Sequence, residues 1–289
     1  TKEGYLVKVV DVQDIFDEFN HGIRSAQAIK DFFTYAYNNW SIPMTHVLLL
    51  GKGISDERDH SVNRKFNLIP YMNAWTYSVG ATPSDNWFAC IVGDDYVPDI
   101  NIARLTITKE EQILPIAEKT VQYISDPDNL WKTNVTLAAG GDVSDNNDIF
   151  AQQSEAIRGR WMPKDYNVIR VYSNPKTVSK EYFGSTFQLK DSWNRGSSFI
   201  QFMGHGGGRI WADYNLLNNN DVRTLNNTKY PFVYSLSCYP SDFSVAGSES
   251  IGSEMVLMPK RGAIAHSGFT GKGYLIEDLT VGYHAAEAI

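Results

Sequence analysis

The chain is poor in cysteine, has no long apolar run, carries no surplus of positive charge and contains no low-complexity tract. Only Cys90 and Cys238 occur, which excludes a disulfide-stapled scaffold and any zinc site built from four cysteines. Its apolar runs are short, as in Val47-Leu48-Leu49-Leu50, far below the roughly 20 residues that a membrane-spanning helix requires. Lys plus Arg total 26 against 33 Asp plus Glu, a net charge of −7. That balance argues against nucleic acid as a partner, because phosphate backbones are bound through excess basic charge. No secretory signal opens the chain, and Ala285-Ala286-Glu287-Ala288-Ile289 reads as an unfinished helix. Both are expected of a domain excised from a longer protein, so missing targeting signals say little about location.

What is present is strand and helix in alternation. Apolar or β-branched runs predict strands at 5–10, 46–50, 87–92, 100–104, 134–139, 166–172, 198–203, 232–236 and 262–267. Several are apolar on both faces, as central parallel strands covered by helices must be. Ser25 precedes a helical pattern with Ile29, Phe32, Phe33 and Ala36 on one side, and Thr108 with Glu111 makes a capping-box pattern for a helix reaching Ser125. Pro115 should kink that helix or delay its start. Further helices are expected near 148–160, 179–194, 248–258 and 277–289. The pattern predicts an α/β fold with mostly parallel sheets flanked by helices. With 289 residues there is room for two modest domains. The turn-rich stretch Ser125-Asp126-Pro127-Asp128-Asn129 is the best break, giving units of 1–128 and 129–289.

In a parallel sheet, functional groups gather past the carboxyl ends of strands. The strand at 198–203 runs into Gly204-His205-Gly206-Gly207-Gly208, and the strand at 232–236 runs into Ser237-Cys238-Tyr239-Pro240. A histidine and one of the two thiols therefore end what should be neighbouring strands. An imidazole beside a thiol supplies the thiolate that attacks a carbonyl, and the N–H groups of Gly206 and Cys238 could hold the resulting oxyanion. In isolation each residue has a plainer reading: a cysteine after a buried strand is commonly a small core residue, and a histidine among glycines a turn. The HGGG run also occurs in lipase-type hydrolases, but no G-x-S-x-G elbow accompanies it. A zinc site from His205, Cys238 and His266 would lack any standard spacing. A Cys90–Cys238 disulfide would leave no nucleophile, and the position of Cys90 within a strand pattern weighs against it.

The segments GHGGGRIW, SLSCYPSDF and GAIAHSGFT, with TPSDNWFACIVGDDYVPDINIARLTIT and HVLLLGKG upstream, resemble the gingipain family of cysteine peptidases. The resemblance spans nearly the whole chain, and the order and interval of the histidine and the cysteine are its specific part. It implies two fused caspase-like units, a noncatalytic one first and the catalytic one second. It implies His205 as general base, Cys238 as nucleophile, and Gly206 with Cys238 as oxyanion donors. Asp142, after the strand at 134–139, is the candidate for the acid that orients the histidine, offset from the family position. Lys52 stands where relatives commonly have aspartate.

No cofactor is required for such chemistry. The acidic cluster Asp94, Asp95 and Asp99 is a candidate structural calcium site, although acidic loops are more commonly just solvated. Family members cleave after Arg or Lys, which a pocket carboxylate would explain. Asp148 is the candidate, walled by Ser267, Gly268 and Phe269, against the plainer reading of a helix N-cap. The resemblance further implies a protein or peptide substrate, a zymogen, and a secreted or cell-surface location with secretion-machinery partners. It includes the sortase-like peptidase of the type nine secretion pathway, so transpeptidation is an alternative to hydrolysis. A catalytically silent caspase-like binding module is the third reading.

Overall fold

A computed structural model describes residues 4–55, 68–77, 79–141, 148–174, 181–275 and 278–282. The chain forms two compact units, Thr1–Thr108 and Lys109–Ile289.

The first unit contains α1 (Val12–Asn20), α2 (Ala26–Asn39), β1 (His46–Leu50), the hairpin β2 (Met72–Thr76) and β3 (Gly80–Ser84), the short α3 (Asn86–Ala89) and β4 (Asn101–Leu105). β1 and β4 pair in parallel. Ile29 and Phe33 of α2 bury against Ile15 and Phe16 of α1, Leu49 of β1 and Phe88 of α3, which realises the spacing read from the sequence. Ser25 caps α2 by accepting from the N–H of Gln27. Arg104, in the strand end that carries part of the family resemblance, is buried and pairs with both carboxylate oxygens of Asp85 at 2.8 and 2.7 Å. Its remaining donors reach the carbonyls of Gly51 and Ile69, so a buried charge is compensated on every side.

The second unit begins with a 3₁₀ turn at Glu110–Gln112 and continues as α4 (Ile113–Ser125), β5 (Asn134–Gly140), α5 (Ile149–Trp161), β6 (Asn167–Ser173), α6 (Thr186–Arg195) and β7 (Phe199–Met203). A small antiparallel sheet of β8 (Gly206–Gly207), β9 (Ile210–Trp211) and β10 (Leu217–Asn218) follows, then α7 (Asn219–Arg223), β11 (Phe232–Leu236), α8 (Ile251–Leu257) and β12 (Ala265–Gly268). The main sheet has the order β12-β11-β7-β5-β6, and every neighbouring pair is parallel. One face, bearing Val135, Leu137, Phe199, Met203 and Leu236, packs against Phe150 and Ile157 of α5. The other, with Ala138, Ile200, Phe202 and Val233, packs against Leu189 and Trp193 of α6, Val222 of α7 and Met255 of α8. Helices on both faces explain why these strands are mostly apolar on both sides.

α4 belongs to this second unit, anchored there by Lys119. Its buried ammonium donates to the carbonyls of Val256 and Met258 at 2.6 and 3.2 Å. Pro115 occupies the third position of α4, where an N–H needs no helical partner, so the helix starts late rather than kinking. The capping contact there runs from the N–H of Lys109 to Gln112 Oε1, one residue beyond the expected Thr108–Glu111 box.

Two expected strands are not strands. Residues 5–10 have no ladder partner among the described residues and are mostly exposed; Tyr5 meets His46 edge-on at 5.5 Å and Lys8 lies over Trp40. Residues 87–92 instead form the end of α3 and a loop, because one helical turn buries Phe88 and Ala89 completely. The N–H groups of Ile91 and Val92 then go to the carboxylate of Asp99. Residues 278–282 are helical, and the rest of the expected terminal helix, 277 and 283–289, lies outside the described residues.

Gly262, after α8, has φ +80 and gives its carbonyl to Trp193 Nε1 and Asn227 Nδ2. A Cβ there would collide with the carbonyl of Met255. Gly262→Ala should therefore lower stability by about 2 kcal/mol or more, seen as a lower urea midpoint with unchanged slope.

Candidate active site

The site forms where β7 and β11 leave the sheet together. Their last paired residues are Met203 and Leu236, and the N–H of Gly204 still reaches the carbonyl of Leu236 at 3.2 Å. His205 and Cys238 each lie two residues past that pair, on strands that run about 4.8 Å apart. The chain turns sharply after His205 into the β8–β9 hairpin. The carbonyl of His205 accepts from the N–H of Ala212 at 2.8 Å, and Trp211 stacks on Phe202 of β7 with ring centres 4.6 Å apart. The imidazole of His205 is exposed on one side and meets Phe150 of α5 edge-on at 5.1 Å.

Gly206 has to be glycine. A Cβ there would lie 2.9 Å from Ser237 Oγ and 3.0 Å from its Cβ, so the loop after His205 and the residue before Cys238 touch through the missing side chain. The half-buried thiol of Cys238 donates to the carbonyl of Gly273 at 3.7 Å. Ser267, Gly268 and Phe269 stand beside this loop. The N–H of Ser241 reaches the carbonyl of Phe269 at 3.1 Å, and Gly268 is pressed against Pro240.

Asp148 holds the N-cap position of α5 with φ +53, yet its side chain makes no capping bond. It is buried and instead accepts from Asn174 Nδ2. It borders a cavity of about 340 Å³ with Gln152, Glu155, Tyr172, Tyr182 and Phe183. Asp142 lies outside the described residues. Two members of the acidic cluster of the first unit are engaged by backbone: Asp99 accepts from the N–H groups of Ile91 and Val92, and Asp95 accepts from the N–H of Val97. Among the described residues, no group of three or more His, Cys, Asp or Glu is arranged to hold a metal ion. This applies to the acidic cluster and to the set of His205, Cys238 and His266.

The second cysteine differs in kind. Cys90 follows α3 rather than sitting inside a strand, and its Sγ donates to the carbonyl of Asn86. Burial pushes its thiol pKa up, Lys30 opposes this, and Asp99 and Asp95 push it further up, so thiolate is disfavoured there. Both cysteines are free.

His266 is the residue whose role the sequence concealed. Its Nε2 faces Ser235 Oγ at 2.9 Å and its Nδ1 faces Ser241 Oγ at 3.1 Å, so neither nitrogen is left for zinc. Burial lowers its pKa from 6.5 to about 3.

Fold and site together define an α/β protein with a thiol and an imidazole at the carboxyl ends of adjacent parallel strands. The model of peptidase family C25 matches residues 1–287, and the chain belongs to that family. It is 23% identical to gingipain R2 of Porphyromonas gingivalis over 227 residues, covering 76% of this chain and 27% of that protein. It is 26% identical to Lys-gingipain of the same organism over 197 residues, covering 68% of this chain and 11% of that protein. The chain thus spans a minor part of the curated relatives it matches. Among solved structures it resembles the Arg-specific cysteine proteinase gingipain R, with TM-score 0.70, 19% identity, and coverage of 96% of this chain and 65% of that one. A complex of the pro- and mature domains of the Porphyromonas gingivalis enzyme gives TM-score 0.71 at 19% identity, with the same coverage. The caspase-like fold is shared with these structures.

Because the folded pKa of His266 lies below its unfolded value, its neutral form stabilises the fold above pH 6.5, and that contribution is lost as pH falls toward 3. Since the residue keeps some exposure, the loss between pH 7 and 4.5 should be about 1–2 kcal/mol. Urea unfolding at the two pH values checks this, with His266→Gln expected to show a flatter dependence.

Proposed function

We propose that the protein is a cysteine endopeptidase acting on protein or peptide substrates through Cys238 and His205. The observation that carries this reading is the equivalent placement of the two residues beyond the Met203–Leu236 pair of neighbouring strands. In this reading the Cys238 sulfur, deprotonated by His205, attacks the scissile carbonyl carbon and a C–S bond forms. The oxyanion is held by N–H groups of Gly206 and Cys238, whose loops the Gly206–Ser237 contact keeps together. The C–N bond then breaks and the amine leaves with the proton from His205. Water, losing its proton to His205, adds to the thioester and expels the thiolate as the C–O bond forms. Asp142 remains the proposed orienting acid.

Asp148 is the proposed selector of a basic side chain, with Ser267, Gly268 and Phe269 as a wall. Two things support it: its buried carboxylate and the names of the relatives, which specify Arg and Lys. The proposed location is secreted or on the bacterial surface, with a pro-form preceding the active enzyme, as the family resemblance implies.

Active-site labelling of the full-length protein with a panel of peptidyl acyloxymethyl ketones tests the reading. The label should map to Cys238, vanish in Cys238→Ala, and fall by about 10²-fold or more in His205→Ala. Preference for arginyl or lysyl probes should weaken in Asp148→Asn. Label on Cys90 alone, or none on the proteolytically matured protein, would overturn the assignment.

A further inference from the structure

The loop that carries Cys238 is held in an unfavourable conformation. Tyr239 has φ +62, a region that side-chain-bearing residues rarely occupy without support from their surroundings. Backbone contacts supply part of that support. The N–H of Tyr239 reaches the carbonyl of Gly271 at 2.7 Å, that of Ser241 reaches Phe269, and that of Gly252 reaches the carbonyl of Pro240 at 2.9 Å. Each of these bonds fixes only the segment after the nucleophile. One side chain joins both flanks. Ser235 stands three residues before Cys238 and Ser241 three residues after, and both hydroxyls meet the single ring of His266 at 2.9 and 3.1 Å.

The surroundings are shaped for this ring. A Cβ on Gly252, in the first turn of α8, would overlap its Nδ1 and Cε1, and one on Gly268 would lie 3.0 Å from its Cε1. A neutral imidazole has one donor and one acceptor, and each hydroxyl can take the complementary part. An aliphatic residue on β12 would leave the fully buried Ser235 hydroxyl without this partner.

Resting on the reading of Cys238 as nucleophile, we propose that His266 is a positioning residue. Through the Ser235–His266–Ser241 bridge it holds the Cys238 loop in its reactive geometry, without touching substrate. Loss of the bridge should loosen the sulfur relative to His205 and the oxyanion donors. The effect belongs in the rate of covalent bond formation rather than in substrate affinity.

The test uses the full-length protein and a peptidyl acyloxymethyl ketone that labels wild type, with the inactivation rate and the inhibition constant measured separately. Ser241→Ala and His266→Gln should each lower the maximal inactivation rate about tenfold while leaving the inhibition constant within about twofold. Ser241→Thr, which keeps the hydroxyl, should recover most of the rate. Alkylation of Cys90 by iodoacetamide, measured in the same samples, should not change. Equal maximal rates in wild type, Ser241→Ala and His266→Gln would overturn the inference while leaving the nucleophile reading intact. So would a lower melting temperature with an unchanged rate in the folded protein, which would mark the bridge as purely structural. Absence of label on wild type would overturn the nucleophile reading, and this one with it.

Discussion

A parallel sheet buried on both faces can release its chain only at its two edges of strand ends, and the rest of this molecule follows from that constraint. In the second unit every main-sheet pairing is parallel. The segments after β5, β7, β11 and β12 therefore emerge on one side. Helices α5 and α8 both start there, following β5 and β11 in the chain. The apolar layers above and below leave few polar groups within the strands, Thr136, Gln201, Ser235 and His266 among them. His205 and Cys238 lie past that edge, and the strand order makes them neighbours. β7 and β11 are far apart in sequence but adjacent in the sheet, which is why an imidazole and a thiol 33 residues apart come to equivalent positions.

Adjacency of strands is not yet a site, because the loops must also close. Here closure depends on what is absent from side chains as much as on what is present. Gly206 lets one loop rest on Ser237 of the other, and Gly252 and Gly268 leave room for the His266 ring. The same groups that narrow the site also leave little freedom for the loop of Cys238, with Tyr239 kept at positive φ by bonds to Gly271 and by the neighbouring Pro240 and Ser241 contacts. Rigid framing of this kind suits a reaction in which the sulfur must be aligned before it attacks.

Much of this was legible in the amino-acid order, and the failures have physical causes. The strands of the second unit were readable because burial on both faces writes itself as mostly apolar runs, and the positions of His205 and Cys238 were readable because each lies two residues past such a run. The run at 5–10 is similarly apolar but pairs with no strand among the described residues, since pairing is a property of neighbours and not of the segment. The run at 87–92 lost its strand to a short helical turn that buries Phe88 and Ala89 at once, with Asp99 taking up the freed N–H groups. The small sheet of β8 to β10 uses two-residue strands, too short for any alternation to show. From the sequence, His266 was legible only as a conceivable zinc ligand with His205 and Cys238. Its partners, Ser235 and Ser241, lie on a different strand and its following loop, so only the β11–β12 pairing reveals the bridge.

The scarcity of cysteine takes on a different meaning once the two thiols are compared. Both are free and both are half-buried, so neither exposure nor oxidation state separates them. Their surroundings do. Cys90 closes a helical turn with its sulfur turned to the carbonyl of Asn86, where burial first, and then Asp99 and Asp95 against Lys30, raise its thiol pKa. Cys238 ends a buried parallel strand beside the strand that delivers His205, and its loop is tied down on both sides. A thiol becomes a nucleophile through the charge and geometry imposed around it, not through its mere accessibility. In this chain the proposed nucleophile, Cys238, is the thiol that the sheet places beside the strand carrying His205, whereas Cys90 lies in the other unit.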